Sequence, residues 1–328
     1  MKDVKKFKAA HAVQNWLSGG GTKAAIFQGD CEKLLAALPP DSVDLIVTSP
    51  PYCMGKAYEK GDDIEVFLKS HERVLPLALR ALKPGGSLCW QVGFHVKNGV
   101  VVPLDFLVYQ ALSKFPEMQL RNRIIWTFGH GLHCTARFSG RHETVLWYTK
   151  GDGYAFDIDA VRVAQKYPGK THSRGPKQGL PSGNPAGKNP SDVWEIPNVN
   201  SNHIEKTSHP CQFPVGLAQR LVRALSKPGD VVLDPFCGVA SAGVAALVED
   251  RRFLGAEIDV AYVETAIERL IAAAAKTVPF RPADRAIFVP RSTSGVAKRP
   301  EGFAVPMVDA CTTDGFVLNQ DSESHFDL

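Results

Sequence analysis

A chain of 328 residues with 44% hydrophobic and 22% charged side chains can bury a sizeable core, which excludes an unfolded or fibrous protein. Its formal charge of +4 is too small to name a partner by itself. Seven scattered cysteines (31, 53, 89, 134, 211, 237, 311) without a C-x-x-C pair argue against a disulfide framework or zinc knuckle, and no apolar run is long enough to span a bilayer.

The N-terminal stretch MKDVKKFKAAHAVQNWLSGGG is basic and lacks the apolar core of a secretion signal, so residues 1–23 are expected as an arm and the chain as cytoplasmic. From 24 to 150, β-branched and aromatic runs predict strands at 24–28, 43–47, 87–92, 122–127 and 144–148. Between the second and third, Ile64, Phe67, Leu68, His71, Val74, Leu75, Ala78, Leu79 and Leu82 recur at helical spacing behind Asp62 or Asp63, and Lys83-Pro84-Gly85-Gly86 ends the helix. Residues 151–207 are rich in proline and glycine. Within 161–191 lie six basic residues (Arg162, Lys166, Lys170, Arg174, Lys177, Lys188) and no acidic one, the mark of a solvated linker or of a surface for a polyanion. Residues 208–278 resume the alternation: a helix at 214–226, a strand at 231–234, a helix from about 239, a strand at 252–257 and a helix at 260–275. The tail 279–328 has no clear period. Alternating strands and helices predict an α/β fold, a doubly wound, mostly parallel sheet shared by both stretches.

The segment VVLDPFCGVASAG (231–243) reads as a strand ending in Asp234, a turn Pro235-Phe236-Cys237-Gly238 and a small-residue helix start. Such turns bring bare backbone and helix N–H groups to a ligand. Glu257 closes the next strand about 20 residues on, where nucleotide-binding folds bond ribose hydroxyls. No G-x-G-x-x-G run is present, so a dinucleotide is not expected. Asp234 would repel a phosphate but suits a cation, as does the ring of Phe236.

DPFCG followed by GAEID, with TSPPY (48–52) upstream, resembles S-adenosylmethionine-dependent DNA methyltransferases that modify exocyclic amines. The order TSPPY, basic insertion, DPFCG is similar to the beta class, whose Rossmann-like fold is permuted. The resemblance covers roughly 24–275 and includes LKPGGSLCW, RHETVLWYTK and HPCQFP. It implies that Asp30 contacts the adenine amine of S-adenosyl-L-methionine. Asp234, Pro235, Phe236, Cys237 and Gly238 would wall its methionine part, Glu257 its ribose, and His209-Pro210 would close over it. Two departures are Ala240, where the family usually has glycine, and Phe213, where it often has lysine. The partner implied is double-stranded DNA read by the insertion, beside a restriction endonuclease acting on the same site, with a monomer and a homodimer both open.

Methyl transfer to a base amine must localise a lone pair that the ring delocalises. The Ser49 hydroxyl and the Pro50 carbonyl are uncharged acceptors for the amine protons; Pro50 and Pro51 stiffen the backbone and donate nothing. Tyr52 would stack on a flipped base, recovering about 1–3 kcal/mol against a flipping cost of a few. Serine at position 49 resembles cytosine-N4 enzymes, where adenine-N6 enzymes usually carry aspartate; adenine N6 stays open, as does a DNA-binding protein that binds the cofactor without turnover. Pro210-Cys211-Gln212 resembles the nucleophile motif of cytosine-C5 enzymes but stands on the wrong side of DPFCG, so Cys211 is read as incidental. GHGLHCTARFSGRHE (129–143) clusters His130, His133, Cys134 and His142 at no standard metal spacing, and no metal is expected. With Arg123, Arg137 and Arg141 it reads as a DNA-facing loop, joined in DNA binding by Lys170, Arg174, Lys177 and Lys188.

Overall fold

A computed structural model describes residues 3–9, 12–19, 21–52, 64–129, 131 and 133–285. In chain order these form β1 (Val4–Phe7), α1 (Ala12–Gly19), β2 (Ala24–Gln28), α2 (Cys31–Ala37), β3 (Val43–Thr48), α3 (Ile64–Ala81), β4 (Leu82–Val92), a hairpin β5 (Phe94–Lys97) and β6 (Val100–Pro103), α4 (Leu104–Leu112), β7 (Met118–Thr127) and β8 (His142–Lys150). After the insertion come β9 (Val193–Glu195), α5 (Val215–Leu225), β10 (Val231–Asp234), α6 (Ser241–Val248), β11 (Arg252–Glu257) and α7 (Val260–Ala274).

Among the described residues, nine strands make one sheet in the order β1-β2-β11-β10-β3-β4-β8-β7-β9. Pairing is parallel from β1 through β4, antiparallel at β4–β8 and β8–β7, and parallel again at β7–β9. Both α/β stretches therefore share one sheet, joined where β3 pairs with β10. Asp44 fastens that junction, accepting from Val231 N at 2.9 Å and from Lys83 Nζ at 2.6 Å.

The central strands are apolar throughout because both faces are covered. Ala24 and Ile26 enter one core cluster with α5, α6 and α7, while Ala25 and Phe27 enter the other with α1, α2, α3 and α4. The period of two along β2 thus divides the core between two helical layers. The helix α3 ends where expected, and β4 begins at once: Leu82 pairs with Val43 and Ser87 with Leu45, so Lys83–Gly86 bulge out between the two pairs.

The stretch before residue 24, expected as an arm, adds an edge strand to the sheet, Val4 opposite Ala24, and buries Val13 and Trp16. The insertion carries pairings of its own. Val163 and Lys188 pair as an antiparallel bridge, Thr171 bridges Pro181, and β9 lays Val193 beside Ile125 on the sheet edge. Beyond it, α5 opens on Pro214, which offers no side-chain cap, and the buried Glu205 serves instead: it accepts from Val215 N at 2.8 Å and from Arg281 N at 2.9 Å.

Candidate active site

The strands β2, β11, β10 and β3 point the same way, so their carboxyl ends share one edge of the sheet. From β3 the chain crosses through α3 to β4; from β10 it crosses through α6 to β11 in the opposite direction along the sheet. Between β10 and β3 the winding reverses, and open parallel sheets bind ligands at such a crevice. Thr48 closes β3 there and Asp234 closes β10. Thr48 Oγ1 donates to Asp234 Oδ1 over 2.6 Å, a bond between residues 186 apart in sequence. Phe236 N donates to the same oxygen at 3.1 Å, whereas Asp234 Oδ2 is buried without a partner among the described residues. Burial pushes the Asp234 carboxyl up to about 7; the bonds from Thr48 and Phe236 pull it down, and the charge of Glu257 adds to the rise.

The turn Pro235–Gly238 lies on this edge. Gly238 has a φ of +49°, and a Cβ there would stand 3.2 Å from His209 Nε2, so bare backbone lets the histidine cover the turn. His209 in turn rests edge-on against Tyr262, centroids 4.5 Å apart, with Pro210 following it. Gly238 N donates to Glu257 Oε2 at 3.0 Å, and Asp259 N donates to Oε1 at 2.8 Å. Burial raises Glu257 above the usual carboxylate range. Phe236 meets Trp90 edge-on at 6.3 Å. Burial also lifts the Cys237 thiol far from ionisation, with the charges of Asp234 and Glu257 adding to it, so this sulfur is packing and no nucleophile. Asp30 stands at the end of β2, exposed, and caps α2 by accepting from Glu32 N at 2.8 Å; its neighbour Gly29 donates its N–H to Glu257 O at 2.9 Å. Asp30, Asp234, Gly238, Glu257 and His209 thus converge on one edge. Of the two departures, Ala240 adopts left-handed backbone (φ 59°, ψ 46°) and Phe213 packs against the core.

Beyond Thr48 the chain runs through Ser49, half-buried, Pro50, buried, Pro51, exposed, and Tyr52, half-buried. The Tyr52 hydroxyl accepts from Gln91 Nε2 at 2.8 Å and donates to Glu143 Oε2 at 3.3 Å, while Gln91 Nε2 also donates to Glu143 Oε2. Burial raises the phenol well above its ordinary range and the Glu143 charge adds to this; bonds from Ser49 and Gln91 oppose it, and Cys211 raises it slightly. Gln91 and Glu143 are site neighbours that sequence reading passed over. Their signal was a lone amide within an apolar strand and a carboxylate just ahead of the buried run TVLWY. Cys211 is exposed and lies near Tyr52.

The arginines expected to face DNA line a cavity of about 600 Å³ beside Glu143. Arg123 is already paired with Asp105, 2.6 Å away; Arg137 lies over the Phe94 ring at 5.7 Å, and Arg141 donates to Gly140 O at 3.0 Å. In the insertion Lys170, Arg174, Lys177 and Lys188 are exposed, but Arg162 is engaged by Asp159 at 2.6 Å and by Gly187 O at 3.0 Å. Among the described residues no three His, Cys, Asp or Glu side chains form a metal-binding group; His130 lies outside them. Nor, among those residues, is any helix long and apolar enough to cross a membrane.

Residues 43–268 match the family N6_N4_Mtase, described as DNA methylase. The Type II methyltransferase M.BglII from Bacillus subtilis is 45% identical over 75% of this chain and 68% of its own length. The Type II methyltransferase M.ScaI from Streptomyces caespitosus is 37% identical over 76% and 82%. The structure of TTHA0409 from Thermus thermophilus, complexed with S-adenosyl-L-methionine, superposes with a TM-score of 0.53 at 31% identity, covering 76% of this chain and 95% of that one. The match across both strands that carry Thr48 and Asp234, with relatives this close, means that the chain belongs to the N6_N4_Mtase family of DNA methylases.

Proposed function

We propose that the chain transfers a methyl group from S-adenosyl-L-methionine to the exocyclic N4 amine of a cytosine flipped out of duplex DNA, beside a restriction endonuclease that reads the same site. The bond between Thr48 and Asp234 carries this reading, because it sets the segment suited to a base amine against the turn suited to a nucleoside at one sheet edge. The residues fit that donor: a buried Asp234 oxygen lacks a partner among the described residues, a bare glycine turn lies beneath His209, and Glu257 and Asp30 stand at adjacent strand ends. When bound, the donor supplies an electrophilic methyl group on a positively charged sulfur.

Asp234 would face positive charge, Glu257 would exchange Gly238 N for ribose hydroxyls, and Asp30 would meet the adenine amine. Gln91 donates to the Tyr52 hydroxyl, which donates to Glu143, and Ser49 lies within reach of the same hydroxyl. The Ser49 hydroxyl would accept from one amine N–H and the Pro50 carbonyl from the other. The Tyr52 ring, fixed by its hydroxyl, would stack on the base. Amine chemistry asks nothing of the Cys211 thiol. The insertion 151–207 would read the target, and the position of the TSPPY strand ahead of the DPFCG strand supports the permuted beta class.

Labelled-methyl transfer to duplex DNA, followed by nucleoside separation, tests the proposal. N4-methylcytosine is expected. N6-methyladenine would move the assignment to adenine, and cofactor binding without transfer would remove the enzymatic reading.

A further inference from the structure

We propose that Phe138 enters the DNA base stack and fills the gap left by the flipped nucleotide, an inference that rests on the DNA-methylating function proposed above. Phe138 is 98% exposed, whereas no other exposed large apolar side chain among the described residues exceeds 66%. A single exposed apolar side chain is ordinary on a protein surface, but this one is held out by its neighbours. The Arg137 guanidinium lies over the Phe94 ring, and a Cβ at Gly140 would collide with that same ring, so the backbone on the other side of Phe138 is seated on it too. Cys134 N donates to Ser139 Oγ at 3.1 Å and closes the loop. With residues on both sides pinned to Phe94, the ring of Phe138 has only solvent to face.

What surrounds it selects the partner. Phe138 stands on the wall of the cavity of about 600 Å³ that Arg123, Arg137 and Arg141 line together with Asp105, Glu143 and Glu195, so its charges balance and its place beside Tyr52 points to the partner. Glu143, on the same wall, accepts from the Tyr52 hydroxyl, so the cavity adjoins the ring assigned to the flipped base. A base drawn toward Tyr52 leaves a hole in the stack, and apolar side chains wedged between base steps are a known means of filling one.

The test compares the wild type with Phe138→Ala and Phe138→Leu on a matched duplex and on one whose target lies opposite an abasic site. On the matched duplex, Phe138→Ala should slow single-turnover transfer about tenfold or more, the weight of one stacking interaction, and Phe138→Leu should retain most of the rate. On the duplex already opened, Phe138→Ala should come within about twofold of the wild type. Because the ring touches little, thermal melting should not change. A matching loss on both duplexes, or no loss on the matched one, overturns the wedge. A pyrrolocytosine at the target, which still pairs with guanine, reports opening without methylation: its fluorescence should rise with the wild type and not with Phe138→Ala. That reading holds even if labelled transfer fails, which would sink the methylation reading alone; an equal rise with both proteins overturns the wedge.

Discussion

Asp234 holds a carboxyl group at the end of β10 away from water, so one proton links its folding to its ligand. Its folded pKa of about 7 exceeds the ordinary value of 3.8, and the folded protein therefore holds the proton across the interval between them. Stability of the ligand-free chain should fall as pH rises from about 4 to about 7 and then level off, by a few kcal/mol. A cation favours the ionised carboxylate, so S-adenosylmethionine should bind more tightly as pH rises through 7, by up to about tenfold per unit below it. Calorimetric titration from pH 6 to 8 checks this, and Asp234→Asn should flatten the dependence. Glu143→Gln removes the charge that accepts from Tyr52; at about 1.5–3 kcal/mol for a hydrogen bond to a charged group, the single-turnover rate should drop roughly tenfold to a hundredfold. Stopped-assay methyl transfer measures it, and an unchanged rate would mean that the Tyr52–Glu143 bond plays no part in transfer.

At the level of elements, the turn between β10 and α6 is held in a conformation its sequence resists. Ala240 occupies the left-handed region, which costs a residue with a Cβ about 1–2 kcal/mol. Ala240→Gly should therefore stabilise the protein by roughly 0.5–1 kcal/mol after the extra chain entropy of glycine is subtracted. Chemical denaturation reads the shift in midpoint. The same scale shows what could be read in advance. All five strands expected before residue 150 are present, each lengthened or matched at its ends, because β-branched and aromatic runs are local signals. Several elements escaped that reading: β1, α1, α2, the hairpin β5–β6, α4 and β9. They are at most nine residues long, too short for a period to stand out.

Across the whole molecule, a small net charge conceals an uneven one. Lys170, Arg174, Lys177 and Lys188 are exposed on the insertion, and neutralising all four should weaken DNA binding on any sequence. It should also shallow the dependence of log K on log salt by about 0.9 for each phosphate that the protein ceases to neutralise. Titrations at several salt concentrations decide it; an unchanged slope would make the insertion a solvated surface. Arg162 belongs to the same basic run but is engaged internally, and Arg123 is paired with Asp105. Charge counted along the chain could not separate these from the exposed cations.

The amino-acid sequence by itself determined the alternation of strands and helices, the glycine turn after Asp234 and the hydroxyl and prolines after Thr48, since periodicity and turn chemistry act over a few residues. Only the tertiary structure decided that Thr48 bonds Asp234, that Gln91 and Glu143 hold the Tyr52 hydroxyl, and that Phe138 is left facing solvent. Those contacts join strands far apart in the chain. Which strands become neighbours is settled by burying both faces of the whole sheet at once, and no local stretch carries that information.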